Sequence, residues 1–279
     1  MKFILVAFFC LFIAGCYTKE YMVERSSKRL TELLNSADKQ RIEKVIIVPD
    51  AQFTLLYIKQ QHYSDIYTAK ILEQLKAERS KEKRESIKKR YFEVLDDINA
   101  VQKEVSDFLE QVTDSYDIIY SEGLPFKDTY SKTFLERYVE ETLDAVDQIQ
   151  NYKEHFDYKI PEPNYFIGST FYLKKERAKK VFGAENFGLL DLTISTYSND
   201  ELSDAAKQQL LKVCHKEREW QMVINMSKEL DVPYLEPPVK FLVCGSRHEF
   251  KDDVQRWNKE NPEKKYNLLV YTPLSLKQK

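Results

Sequence analysis

Val239-Lys240-Phe241-Leu242-Val243-Cys244-Gly245-Ser246-Arg247-His248-Glu249 is the most informative run in the chain. Five of its first six residues are apolar and two are valines, the composition of a strand buried on both faces. The run follows a prolyl pair, Pro237 and Pro238, and passes directly into Gly-Ser-Arg-His-Glu. Ligands of open α/β sheets gather outside the carboxyl ends of such strands. A histidine just past a strand-ending glycine therefore stands where chemistry is expected. The plainer alternative is a turn that carries a surface histidine.

Working outward, four further segments read as strands. Lys44 to Val48 is closed by Pro49-Asp50, and Phe53 to His62 ends in a second histidine. Tyr116 to Gly123 ends in Ser-Glu-Gly, and Tyr266 to Tyr271 is the last strand. From Asp50 to Glu122 there is neither glycine nor proline, and apolar residues from Ile71 to Val112 recur at helical spacing. The mixed-sign run Lys76 to Arg90 is expected to be a solvated helix face. Further helices are expected over 27–35, 132–156, 174–182, 199–230 (capped by Asn199 or Ser203) and 248–258, with a strand over 165–173.

The bulk properties exclude several classes. The chain has 279 residues, 43% hydrophobic and 32% charged, with a net charge of -2. That suits a globular domain and gives no reason to expect nucleic acid as a partner. Only six glycines occur, and neither GxxxxGK[ST] nor GxGxxG is present, which argues against a phosphate loop. At the N-terminus, Met1-Lys2 precedes twelve apolar residues, Phe3 to Ala14, and then Gly15-Cys16. Twelve is short of the roughly 20 needed to span a bilayer and matches the apolar region of a secretion signal. Ile13-Ala14-Gly15-Cys16 resembles a bacterial lipobox. Residues 1–15 are thus expected to be a lipoprotein signal peptide, with lipid on Cys16 as the membrane partner. Residues 16–43 would form a tether with a short helix, and 44–279 a single domain with a charged helical segment at about 65–112. The expected location is the cell envelope, at the outer membrane or the outer face of the cytoplasmic membrane. Tyr17 after the cysteine, rather than aspartate, leans toward the outer membrane. Cys214 and Cys244 remain, as one disulfide or as two inert buried thiols.

Three strand ends deliver candidate site groups: His62, Glu122 and His248. Two imidazoles and a carboxylate suit a divalent transition metal with an open position, and suit general acid–base work equally. Each also has a plain reading as a strand-terminal cap. Arg218 lies on the helical row Cys214, Arg218, Met222, Met226, otherwise apolar. A charge there must pair with an internal acid or face an anion.

Taken in order, His62 after a strand, Ser121-Glu122-Gly123 after the next, Arg218, and Gly245-Ser246-Arg247-His248 resemble the superfamily of TraB, Tiki, ChaN and erythromycin-esterase-like proteins. The resemblance covers about Val45 to Tyr271. It implies an α/β fold with a mainly parallel central sheet flanked by long helices. It also implies a metal-dependent hydrolase of amide or ester bonds, acting on a peptide or small molecule. His62 and His248 would be metal ligands, Glu122 a ligand or general base, and Arg218 an anion clamp. The first motif reads Lys59-Gln60-Gln61-His62 and lacks the family's glycine. The lipobox and chain length are similar to ChaN-type haem-uptake lipoproteins, which implies an alternative in which haem is the cofactor and Tyr63 or Tyr120 an axial ligand. A non-catalytic envelope scaffold is the third reading.

Overall fold

A computed structural model of the chain describes residues 18–36, 38–61, 65–114, 117–125, 181–228 and 236–276. Strands β1 (Ile42–Ile46), β2 (Phe53–Gln60), β3 (Ile118–Pro125), β4 (Val181–Glu185), β5 (Val239–Gly245) and β6 (Tyr266–Tyr271) form one sheet in the order β1-β6-β2-β5-β3-β4. Every pairing is parallel except that of β1 with β6. The α-helices among the described residues are α1 (Lys19–Leu34), α2 (Asp65–Ala77), α3 (Lys81–Val112), α4 (Phe187–Ser198), α5 (Asp204–Ser227) and α6 (Lys251–Glu260). The chain therefore adopts an α/β fold with a mostly parallel sheet flanked by helices. No described helix is long and apolar enough to cross a membrane.

β5 is buried on both faces, as its composition demands. Leu242 and Cys244 pack with Tyr57, Tyr120 and the α5 residues Met222, Val223 and Met226. Val239, Phe241 and Val243 pack with Val101, Val105, Phe108 and Leu109 of α3 on the opposite face. Only the second half of α3 reaches the sheet. Earlier in that helix, Tyr91, Leu95 and Ile98 pack on Ile71 and Leu75 of α2. The two halves meet at Gln102, which donates to Gln60 Oε1 (3.2 Å) and Gln61 O (2.7 Å) at the carboxyl end of β2. The α2–α3 hairpin thus stands beyond the carboxyl edge of the sheet, and its Lys81–Arg90 stretch is largely solvated, as expected.

α1 covers the opposite edge. Arg25 donates to Glu236 O (3.0 Å), Ser26 shares a hydrogen bond with Thr54 (3.4 Å), and Arg29 donates to Asp117 Oδ2 (3.0 Å). These partners lie at or just before the amino ends of β5, β2 and β3. The amino edge is closed by a helix and the carboxyl edge is left for the site.

Several boundaries differ from the sequence expectations, each for a local reason. α1 starts at Lys19 rather than near Ser27, because the Thr18 hydroxyl accepts from Tyr21 N and caps it there. The helix expected over 199–230 is α5, capped by Ser203, and a separate helix not expected from the sequence, α4, precedes it with Asn186 as its cap. Phe182, expected at the end of a helix, lies in β4. Parallel pairing to β3 holds it there, with Tyr120 opposite Phe182. The last helix begins at Lys251, not His248, which leaves His248 in a loop. The helix expected over 132–156 and the strand over 165–173 lie outside the described residues.

Candidate functional site

The strand order dictates where a site belongs. From β3 the chain continues to β4 at the sheet's edge, while from β5 it continues to β6 on the far side of β2. Adjacent strands β3 and β5 therefore send their connections in opposite directions, which opens a crevice at their carboxyl ends. Glu122 lies at one lip and His248 at the other.

The backbone aims both. Gly123, directly after Glu122, has φ 82, a left-handed conformation that glycine adopts without steric cost. At the other lip, His248 N donates to Gly245 O (3.2 Å), folding the loop back over the end of β5. Tyr57 donates to the same carbonyl (2.6 Å), and Gly245 N donates to Glu122 Oε2 (2.5 Å). A Cβ on Gly245 would come within 3.2 Å of that carboxylate oxygen. Any larger residue here would crowd that oxygen, so glycine suits the close approach.

The side chains form a compact charged cluster. His248 Nε2 lies 3.2 Å from Glu122 Oε1, and His248 Nδ1 lies 3.1 Å from Glu219 Oε1. Glu219 also accepts from Glu249 N (2.9 Å) and Lys216 Nζ (2.8 Å). Arg218 donates to Glu122 Oε1 (3.1 Å) and makes a two-point contact with Glu185, whose Oε2 is 3.2 Å from Arg218 Nε. Of the two fates open to Arg218, pairing with internal acids is the one observed. Three carboxylates (Glu122, Glu185, Glu219) thus face two permanent cations (Arg218, Lys216). A protonated His248 balances the set.

The titration shifts follow from this crowding. Burial alone would lower the His248 pKa, but the hydrogen bonds its ring donates to Glu122 and Glu219 outweigh it and push it up to about 9. Burial also opposes the Arg218 charge, and Glu185 and Glu122 more than compensate, raising its pKa. Glu219 is held below its ordinary value against burial by its bonds from His248, Lys216 and the Glu249 amide. Burial, with Glu122 and Glu185 nearby, raises the Cys244 thiol well above the ordinary range.

Glu122, Cys244 and His248 each offer a ligand atom within 4.8 Å of the others, so this buried group could hold a metal ion. Of the sequence candidates, Glu122, Arg218 and His248 come together. His62, Tyr63 and Cys16 lie outside the described residues. Among the described residues, the imidazole beside His248 is His215 of α5, with ring centroids 5.5 Å apart. Cys214 and Cys244 are both free and buried, the thiol alternative rather than the disulfide.

Sequence reasoning missed Glu185, Glu219, His215 and the ligand atom of Cys244. Two signals were available. Ala184-Glu185-Asn186 closes an apolar strand with a carboxylate, as Ser121-Glu122-Gly123 does. His215 and Glu219 are four apart on the same helix as Arg218, hence on one face.

Comparison with known proteins adds no further constraint: no family model matches the chain, and no curated protein or solved structure matches it significantly.

Proposed function

We propose that this chain is a metal-dependent hydrolase of amide or ester bonds, held at an envelope membrane by lipid on Cys16. The observation that carries the reading is His248, whose two ring nitrogens both face carboxylates. A neutral imidazole has one donor and one acceptor nitrogen, so without an ion only the doubly protonated ring satisfies both contacts. A cation on the Glu122 side would replace the Nε2 proton, while Nδ1–H still donates to Glu219. That carboxylate–histidine–ion order is the usual support of a metal-bound histidine.

Glu122, His248 and, once its proton is lost, Cys244 are the residues that would hold the ion. An O, N and S donor set suits zinc or a similar borderline ion. Such an ion supplies Lewis acidity, which polarises a carbonyl and lets water act as nucleophile near neutral pH. The remaining residues act around it. Arg218 and the Gly245 amide fix the two oxygens of Glu122, and Glu219 fixes the His248 tautomer. His215, half-buried beside His248, is kept neutral by burial and by the charges of His248 and Arg218, so it can accept or donate a proton at the crevice. The haem alternative finds less support, since Tyr120 is wholly buried against Phe182.

Elemental analysis of protein purified without chelator tests the reading. Near-stoichiometric transition metal is expected in the wild type, with most of it lost in Glu122→Gln and in His248→Ala. Equal metal content in all three would remove the assignment.

A further inference from the structure

Beside the charged cluster, α5 and the loop after β5 enclose a groove of about 350 Å³. Its α5 wall includes Leu211, Lys212, His215 and Lys216, and its loop wall includes Arg247 and Glu249. Glu219 forms the inner end of the groove, where it bonds His248 at 3.1 Å, so the groove leads into the site. The volume falls within the range of small-molecule sites.

The charges of the groove are unevenly committed. Lys216 is held by Glu219, and Glu219 in turn by His248 and the Glu249 amide. Lys212 and Arg247 are both exposed and make no ion pair among the described residues. Against these two cations stands a single uncommitted carboxylate, that of Glu249. Leu211 lends an apolar strip between the charged groups.

We infer that this groove is a substrate subsite in which Lys212 and Arg247 hold an anionic group, a carboxylate or a phosphate. The rest of the substrate lies past His215, with its labile bond at His248 and Glu122. This rests on the hydrolase reading and adds the chemical class of the substrate. Arg247 suits the role because a guanidinium meets either anion through two parallel hydrogen bonds.

Calorimetric titration of the full chain at fixed ionic strength, with inorganic phosphate in one arm and succinate in the other, tests the subsite. Binding of at least one probe is expected, weakened roughly tenfold or more in Lys212→Gln/Arg247→Gln, since each charge-assisted bond is strong. The thermal midpoint of that variant should be unchanged. The stronger probe identifies the substrate as phosphorylated or as a carboxylic acid. Binding should also persist after dialysis against a chelator. The inference is overturned if neither probe binds, if the double variant binds equally well, or if the chelator abolishes binding, because the anion would then sit on the ion. Metal content is measured separately, so a metal-free protein that still binds anions sinks only the hydrolase reading.

Discussion

The two ends of β5 each bury charge, and they do so in opposite ways. At the amino end, Lys240 is fully buried, with its ammonium bonded to Met226 O and the Glu236 carboxylate. The rings of Phe53 and Tyr266 flank it, at 5.1 Å and 5.5 Å from their centroids. The cation is matched and enclosed. At the carboxyl end, three acids outnumber the permanent cations, an imidazole carries the balance, and a groove opens alongside. Burial of charge alone does not mark a site, since a matched ion pair is a structural device. Unmatched acids next to a titratable ring and an opening mark one.

The largest effect that would sharpen this contrast is at Arg218. Removing it by Arg218→Ala leaves Glu185 and Glu122 buried without their cation, and a loss of about 3–5 kcal/mol is expected. Urea denaturation measures it, and a loss near zero would mean the acids are not held as a set. A smaller effect comes from pH in the metal-free protein. The His248 pKa is raised from 6.5 to about 9. The stability this confers is fully present below pH 6.5 and is lost as pH rises through about 9, on the order of 3 kcal/mol in all. Chemical denaturation at pH 7 and pH 10 should show the loss, and His248→Gln should flatten it. The smallest effect is at the amino end. Lys240→Met keeps the volume and leaves Glu236 its second partner, Lys264 at 3.3 Å. A change under about 2 kcal/mol is expected. A loss as large as that of Arg218→Ala would erase the distinction between the two ends.

Much of this arrangement was legible in the sequence, for physical reasons that also explain what was not. β5 announced itself because burial on both faces removes every polar residue but Lys240. Glu122 and His248 were found because chain ends at a sheet's carboxyl edge converge whatever their separation in sequence. Arg218 stood out as a charge in an apolar row. Glu185 was hidden because Gly183 and Ala184 look like a turn, and only pairing with β3 makes that segment a strand. Glu219 sits among charged neighbours, Lys216 to Arg218, and only its helical spacing from His215 separates it from them. On sequence alone the antiparallel partner of β6 begins two residues late, at Lys44 rather than Ile42, since Ile42-Glu43 alternates and its polar half gives no apolar run.

The helix laid across the amino edge has a consequence for orientation. β2, with eight residues, spans roughly 25 Å, and α1 and the crevice occupy opposite ends of that distance. A lipid on Cys16, just ahead of the Thr18 cap, would bring the covered end down onto the bilayer. The crevice would then look outward, toward solutes and chains passing above the membrane rather than toward the lipids beneath it.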